Sequence, residues 1–333
     1  MGVIKRTTAE CVALAANINE WPLSKAIAAT FAFPLLRIHV KHFSDGELKL
    51  RCPELGLVKG RDALIFAPQF VLPADSIAAL AFLAQLLRQA QARRIIAVIP
   101  YVPFSRQECS PFAPEMPGPL QLVISYLKLA GITDIVTVWF HAVDAIASLA
   151  LPVTTVSAAR FIADKIVEYK LHEKNPWLVA PDRGAASRVK EIAHLLGLRY
   201  LIFEKQRNHE GEVSNLHLSM PPPGQKGSAI IIDDIIATGS TALYTCRELM
   251  RYGFTDIYGW FVHPVLSGQA QEKLERSNFI QIFVTNTRII PPLEYNAFTG
   301  SKICVQNIQP LLEHGIRTAL EQRDIRYGRM YAK

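Results

Sequence analysis

Short runs of β-branched and aliphatic residues alternate with longer segments of helical periodicity along most of this chain. Such runs are typical of buried strands, and their alternation with helices implies parallel sheets that helices cover on both faces. The predicted fold class is therefore α/β, with mainly parallel sheets. The runs that predict strands lie at residues 36–40, 63–68, 94–100, 134–140, 178–182, 228–234, 257–263 and 281–287.

The alternation breaks near residues 150–157 and then starts again. The chain has 333 residues, and roughly 150 residues is a common domain size. We therefore predict two tandem α/β domains, 1–156 and 157–333. Residues 208–227 form the main irregular stretch, because the triple proline that begins at Pro221 excludes a helix there. A long non-helical segment in a compact domain is often a functional flap.

The composition excludes several classes of protein. Half of the residues are apolar and 20% are charged, which excludes a disordered chain. Lys and Arg number 36 against 29 Asp and Glu, giving a formal net charge of +7. That balance favours anionic partners, but the cations are dispersed, with no basic run typical of a nucleic-acid-binding arm. The most apolar segment, 77–87, is far shorter than the roughly 20 residues that a membrane span needs.

The cysteines and the N-terminus indicate a cellular compartment. The five cysteines are widely spaced and include no CxxC pair, so neither a disulfide framework nor a structural zinc site is expected. The N-terminus has only a short apolar stretch and does not resemble a signal peptide. Reduced thiols in a cytoplasmic protein are the simplest interpretation.

The sharpest motif is IIIDDIIATGSTAL, at residues 230–243. An apolar strand delivers Asp233 and Asp234, and a tight turn then opens a helix. The turn consists of Ala237, Thr238, Gly239, Ser240 and Thr241. Backbone N–H groups at a helix start bind anions, and a glycine lets the backbone approach closely, so the turn predicts a phosphate cradle. The adjacent carboxylates suit a sugar's vicinal hydroxyls. The simpler alternative is a helix that Ser240 or Thr241 caps.

This motif resembles the phosphoribosyl-diphosphate binding motif of phosphoribosyltransferases and of ribose-phosphate diphosphokinases, the PRPP synthetases. Four other segments resemble the synthetases in particular. They are Phe43-Ser44-Asp45-Gly46-Glu47, the segment Pro100–Glu108 (PYVPFSRQE), Pro181-Asp182-Arg183-Gly184, and Phe203-Glu204-Lys205-Gln206-Arg207. The resemblance runs in order from about residue 36 to the C-terminus, and it implies two tandem phosphoribosyltransferase-like domains.

On the ATP side, the resemblance implies roles for five residues of the first domain: Phe43, Asp45, Glu47, Arg106 and Gln107. The ring of Phe43 would stack on the purine, and Asp45 and Glu47 would accept hydrogen bonds from its exocyclic amine. Arg106 suits nucleotide phosphates, although a surface salt bridge is the alternative. In the family the Phe43–Glu47 loop reaches a neighbouring subunit's site, which implies a homo-oligomer, a dimer or higher.

The resemblance assigns the chemical step to Lys205 and Arg207, at the start of the family's catalytic loop. Diphosphoryl transfer requires little acid–base chemistry, so positioned cations and Mg²⁺ supply most of the stabilisation. Two cations at the edge of a flap can close over the phosphates and exclude water. Without the resemblance, the pair would be interpreted as solvated loop cations.

His141 and Asp182 are the predicted metal ligands, with Mg²⁺ as the cofactor. The family has an Asp-x-His pattern at His141, which it uses at its ATP–Mg²⁺ site, but Trp139 replaces the acid here. Asp182 follows a strand beside Gly184, and its alternative role is a helix cap. A second departure is segment 108–118, which holds no Lys or Arg where the family is usually basic. We therefore expect little regulation by phosphate or ADP there.

The resulting hypothesis is a ribose-phosphate diphosphokinase that uses ATP and ribose 5-phosphate, with no nucleic-acid or membrane partner. A non-catalytic binding or regulatory homologue is the alternative that Trp139 and segment 108–118 motivate. A phosphoribosyltransferase that consumes PRPP is weaker, because it would leave the ATP-type motifs unexplained.

Overall fold

The structure, a computed structural model, describes residues 11–16, 22–67, 73–107, 118–141, 143–207, 213–218, 227–289 and 301–328. Its contacts divide the chain into two compact units. Unit 1 runs to Val156 and includes the chain from Gln309 onward, and unit 2 is Ser157–Ile308.

Unit 1 contains a seven-stranded sheet in the order β3-β2-β1-β4-β5-β6-β7. Every neighbouring pair is parallel except β2 and β3, which form an antiparallel hairpin. The strands are β1 (Cys11–Ala16), β2 (Leu35–His42), β3 (Leu48–Arg51), β4 (Asp62–Phe66), β5 (Arg94–Val98), β6 (Asp134–Val138) and β7 (Val153–Val156). The helices are α1 (Pro22–Thr30), α2 (Pro73–Gln89) and α3 (Pro119–Ala130).

Unit 2 repeats this topology, with the strand order β10-β9-β8-β11-β12-β13-β14. Here β9 and β10 form the antiparallel edge hairpin, and the other neighbours are parallel. The strands are β8 (Trp177–Ala180), β9 (Tyr200–Arg207), β10 (Val213–Leu218), β11 (Ser228–Ile236), β12 (Asp256–Pro264), β13 (Gln281–Thr285) and β14 (Ile303–Gln306). The helices are α4 (Ala159–Glu168), α5 (Ala186–Leu196), α6 (Ser240–Arg251) and α7 (Ala270–Glu275).

The predicted α/β class with mainly parallel sheets is confirmed, and each of the eight predicted strands overlaps an observed one. The central strands are buried on both faces; β4 and β5, for example, have no exposed residue. In unit 2, one core cluster joins the sheet to α6 through Ala242, Cys246 and Leu249. Two-sided burial explains why these strands appear in the sequence as continuous apolar runs.

The predicted C-terminal boundary differs from the observed one. We assigned residues 157–333 to the second domain, but α8 (Gln309–Gly328) packs in unit 1, against α1, β6 and β7. The Arg94 guanidinium donates to the Ala319 carbonyl (3.2 Å), and a Cβ on Gly315 would lie 2.8 Å from the Val136 and Val156 side chains. The absence of a side chain at Gly315 thus lets the helix approach the sheet closely.

The prediction that 208–227 is wholly irregular is also wrong in part. Residues 213–218 form β10, paired with β9 from Val213 opposite Arg207 to Leu218 opposite Phe203. Residues 208–212 and 219–226 lie outside the described part of the chain.

Candidate functional site

The strand order creates a topological switch point in unit 2 between β8 and β11. The chain leaves β8 toward β9 on one side and returns to β11 on the other. Ligands of open α/β sheets bind at the carboxyl ends of the strands at such a point. Asp182 follows β8 directly, and Asp233 and Asp234 lie near the end of β11. The sequence had predicted these residues as ligands without locating the switch point.

The turn after β11 has the geometry of an anion cradle. Gly239 is in the left-handed conformation (φ +76°) and is the N-cap of α6. Because Gly239 itself is the N-cap residue and has no side chain, the alternative in which Ser240 or Thr241 is the cap is wrong. The Thr238 hydroxyl lies 3.0 Å from the Ser240 hydroxyl and accepts from the Ser240 N–H (3.4 Å). Two hydroxyl donors and a helix N-terminus therefore converge on one point, as phosphate binding requires.

The carboxylates of Asp233 and Asp234 have different environments. Asp234 is buried, and its Oδ2 lies 2.9 Å from Nη1 of Arg188 on α5. Asp233 is only partly buried, and its Oδ1 accepts from the backbone N–H of Asp234 (2.9 Å). Burial, the nearby charges of Asp234 and Asp182, and a hydrogen bond with Asp234 raise the pKa of Asp233 well above its ordinary value. Asp233 is thus held in a negative field that a bound cation or hydroxyl donor would relieve.

Asp182 caps a short helical turn, since its Oδ1 accepts from the Ala185 N–H (3.3 Å). This is the alternative role that the sequence left open, and it still leaves the carboxylate near enough to Asp233 to raise its pKa. In the described part of the chain, no group of three or more His, Cys, Asp or Glu side chains is arranged to hold a metal ion. The predicted metal role of Asp182 therefore stays a prediction.

Lys205 and Arg207 lie on β9, beyond the residues that pair with β8. The register with β8 ends at Ala180 opposite Ile202, whereas β9 continues along β10 to Arg207. Both backbone positions are therefore at the carboxyl edge of the sheet, on the strand next to the one that precedes Asp182. An ion pair joins Glu204 of β9 to Arg183 in the turn after β8 (2.8 Å).

The predicted ATP-side residues all belong to unit 1. Phe43, Asp45 and Glu47 form the exposed tip of the β2–β3 hairpin, closed by the Phe43 N–H donating to the Glu47 carbonyl (2.8 Å). The Phe43 ring is 49% exposed, with the Lys49 ammonium 5.1 Å from its centroid. An exposed aromatic at a rigid hairpin tip is available for stacking on a base.

Arg106 and Gln107 are exposed after β5, and His141 follows the neighbouring strand β6. The nucleotide-phosphate role of Arg106 and its surface-salt-bridge alternative both stay predictions. Three inter-strand steps separate β2 from β5, or about 14 Å at about 4.8 Å per step. The strands that lead to the hairpin tip and to Arg106 are therefore not neighbours in the sheet, although both end at the same edge.

Trp139, where the resemblance expects an acid, is buried (5% exposed) and has a left-handed backbone (φ 44°). The backbone N–H of Trp139 donates to the Val156 carbonyl (2.8 Å), and the backbone N–H of Phe140 donates to the Thr155 hydroxyl (3.1 Å). Two contacts with the end of β7 thus fix the turn that presents His141. Segment 108–117 lies outside the described residues.

Comparison with known proteins agrees with this arrangement. Residues 12–131 match the family model of the N-terminal domain of ribose phosphate pyrophosphokinase, and residues 154–287 match that of the phosphoribosyl transferase domain. The chain is 31% identical to a ribose-phosphate pyrophosphokinase of Wolinella succinogenes over 301 residues, covering 90% of this chain and 93% of the relative. It is 30% identical to one of Helicobacter pylori, covering 88% of each.

A solved structure extends the agreement to the fold. Phosphoribosylpyrophosphate synthetase from Mycobacterium smegmatis superimposes with a TM-score of 0.80 at 26% identity, covering 94% of this chain and 99% of that one. No helix in the described ranges has the length and hydropathy to cross a membrane. Both family domains match in order, and the similarity to the relatives extends over nearly their whole length. This chain therefore belongs to the ribose-phosphate pyrophosphokinase family.

Proposed function

We propose that this chain is a ribose-phosphate diphosphokinase that transfers the β,γ-diphosphoryl group of ATP to the 1-hydroxyl of ribose 5-phosphate. The products are PRPP and AMP. The observation that carries the proposal is the switch-point site of unit 2, where the start of α6, with Gly239 as its N-cap, and the strand-end carboxylates lie together. The family membership and the exposed hairpin and strand-end residues of unit 1 support the ATP side.

The sugar phosphate binds at the turn that begins with Thr238. Backbone N–H groups at the start of α6 and the hydroxyls of Thr238, Ser240 and Thr241 receive the 5-phosphate. Gly239 lets the backbone approach the phosphate, and its φ of +76° is a conformation that other residues rarely adopt. Asp233 and Asp234 orient the ribose ring through its 2- and 3-hydroxyls.

ATP binds through residues of unit 1. The Phe43 ring stacks on the adenine, and Asp45 and Glu47 accept from its amino group. Arg106, Gln107 and His141 hold the phosphates. Following the family resemblance, in which this hairpin loop reaches a neighbouring subunit's site, the proposal includes a homo-oligomer in which the hairpin of one subunit completes the site of another.

In the chemical step, the 1-hydroxyl oxygen attacks the β-phosphorus of ATP. The bond between that phosphorus and the oxygen bridging to the α-phosphorus breaks, AMP leaves with this oxygen, and the proton of the 1-hydroxyl passes to solvent. Lys205 and Arg207 stabilise the negative charge on the transferring group, since charge stabilisation is the main protein contribution to phosphoryl transfer.

The residues present fit Mg²⁺ as the cofactor. Carboxylate oxygens are its preferred protein ligands, and it commonly binds one or two of them together with substrate phosphates and water. Asp182 supplies such an oxygen. The raised pKa of Asp233 indicates excess negative charge among the carboxylates of Asp182, Asp233 and Asp234. When bound with ATP, Mg²⁺ would neutralise phosphate charge during transfer. His141 offers a ring nitrogen and not an oxygen, so its side chain suits a contact with phosphate better than direct coordination of Mg²⁺.

The proposal places the enzyme in the cytoplasm. The four cysteines in the described part of the chain, at positions 11, 52, 246 and 304, are free thiols. Free thiols are typical of a reducing compartment.

The test is AMP formation from ATP and Mg²⁺, measured with and without ribose 5-phosphate. We expect AMP and PRPP in equal amounts and no AMP without the sugar phosphate. Tight binding of ribose 5-phosphate without AMP formation would favour the non-catalytic homologue, for which the buried Trp139 is the motivating observation. PRPP consumption with a nucleobase, without ATP-dependent synthesis, would favour a phosphoribosyltransferase.

A further inference from the structure

Arg188 forms a largely buried ion pair with Asp234, one of the two predicted ribose-binding carboxylates. Its Nη1 lies 2.9 Å from Asp234 Oδ2, and the two side chains are only 11% and 3% exposed. Surface ion pairs contribute little, but a charge buried to this degree must be compensated by its partner. The contact therefore fixes the position of the Asp234 carboxylate.

The carboxylates of Asp233 and Asp234 lie on opposite faces of the sheet. Asp233 is in register with Phe261 of β12, and Phe261 belongs to the core cluster that contains Ala242 and Cys246 of α6. Arg188 instead belongs to α5, which contacts β8, β9 and β11. The side of Asp233 is thus the side on which α6 begins and on which the phosphate turn lies.

Burial separates the two carboxylates further. Asp234 is 2% exposed as a residue, so little of its surface is left for a ligand. Asp233 is more exposed, and its environment disfavours an uncompensated charge, as expected for a group whose partner arrives with a ligand.

We propose that Arg188 is a positioning residue for ribose 5-phosphate, which anchors Asp234 from the α5 side so that Asp233 is the carboxylate that meets the ribose hydroxyls. This inference rests on the proposed function. Arg188 does not touch the substrate; it acts through Asp234, whose backbone N–H in turn donates to Asp233 Oδ1 (2.9 Å). A chain of two contacts therefore links the guanidinium to the ligand carboxylate.

A purely structural role for Arg188 predicts a different result. If the pair only stabilised unit 2, its loss would lower the melting temperature and the amount of active protein, and the KM values would not change. If the pair positions the ribose carboxylates, its loss raises the KM for ribose 5-phosphate and leaves the KM for ATP unchanged.

The experiment compares Arg188→Gln and Arg188→Lys with Arg160→Gln. Arg160 is a matched control, a helical arginine that pairs with Asp164 at the surface (76% exposed). We expect Arg188→Gln to raise the KM for ribose 5-phosphate by about 10- to 100-fold, the usual effect of removing a residue that orients a binding group. Arg188→Lys should give an intermediate KM, and Arg160→Gln should match the wild type.

A double variant gives a second readout. Because Arg188 acts through Asp234, adding Arg188→Gln to Asp234→Asn should change the Kd for ribose 5-phosphate, measured by calorimetric titration, little further. Multiplicative losses would overturn the proposal, as would a wild-type KM for ribose 5-phosphate in Arg188→Gln. If Arg188→Gln does not fold, Arg188→Lys decides, since a wild-type KM in that variant also overturns the proposal.

Failure of the proposed function has a separate signature. It would appear as the absence of ribose-5-phosphate-dependent AMP formation in the wild type. Calorimetric titration of ribose 5-phosphate into wild-type, Arg188→Gln and Arg160→Gln protein tests the positioning role without turnover. Weaker binding confined to Arg188→Gln supports the role, and equal binding by all three proteins overturns it.

Discussion

Asp233 and Asp234 are adjacent in sequence, yet replacing each by asparagine should change stability in opposite directions. Asp234→Asn leaves the Arg188 guanidinium, only 11% exposed, without its carboxylate. Removing one partner of a buried pair costs about 3–5 kcal/mol of unfolding free energy. The lower figure applies here, because Arg188 and Asp234 both have further interactions. At about 2.1 cal/mol/K of unfolding entropy per residue, a loss of about 3 kcal/mol lowers the melting temperature of a 333-residue protein by about 4 °C.

Asp233→Asn should instead stabilise the protein. The pKa of Asp233 is raised in the folded state by burial first and by the Asp234 and Asp182 charges second. The unfolded chain therefore releases this proton at lower pH, so the stability contribution of Asp233 falls as the pH rises above about 4. Asparagine does not titrate, and the advantage of the variant over the wild type should grow from pH 5 to pH 8.

Thermal and urea unfolding, followed by circular dichroism in Mg²⁺-free buffer at pH 5 and pH 8, measure both effects. Asp164→Asn serves as the control, because it breaks only the exposed pair with Arg160. We expect both site variants to lose activity while their melting temperatures move apart. An Asp233→Asn protein that is destabilised as strongly as Asp234→Asn would refute the assignment of separate roles to the two carboxylates.

Further predictions concern other parts of the chain. Lys205→Ala and Arg207→Ala should each lower kcat by about 10²- to 10³-fold with little change in KM; a change confined to the KM for ATP would make them binding residues. Sedimentation at assay concentration should find at least a dimer, and Phe43→Ala should raise the KM for ATP, whereas an active monomer would contradict the shared site. Phosphate and ADP should show little allosteric effect in initial-rate assays, because segment 108–118 has no cation; strong inhibition by ADP that is not competitive with ATP would contradict this. Arg94→Ala should lower the melting temperature, since it removes buried contacts with Asp134 (2.8 Å) and with α8, and limited proteolysis would test whether α8 is released.

The sequence predicted the elements whose signal is local. Buried parallel strands are continuous apolar runs, so the eight strands that we predicted overlap observed strands. The switch-point motif was also visible, because Asp233, Asp234 and the turn to Thr241 are contiguous. The family resemblance and the α/β class followed from such segments and are confirmed.

Strands with a weaker local pattern were missed. β1 (CVALAA) is half alanine, and β10 lies within a segment whose prolines and glycines indicated a loop. β10 is a strand because β9 offers it an unpaired edge, which is a property of the neighbouring strand. When a segment becomes a strand because a neighbouring strand pairs with it, its own residues need not show a strand pattern.

Tertiary structure alone decided which element each buried face meets. The sequence analysis did not predict α8, and only its contacts show where it packs: Gly315 lies close to the sheet of unit 1, and Arg94 of β5 donates to the Ala319 carbonyl. Arg188 lies on a helix with an ordinary amphipathic pattern, 46 positions before Asp234 (234 − 188), and nothing local marks it as a partner. Side-chain periodicity determines that a face is buried, whereas the partner across that face depends on how distant segments come together.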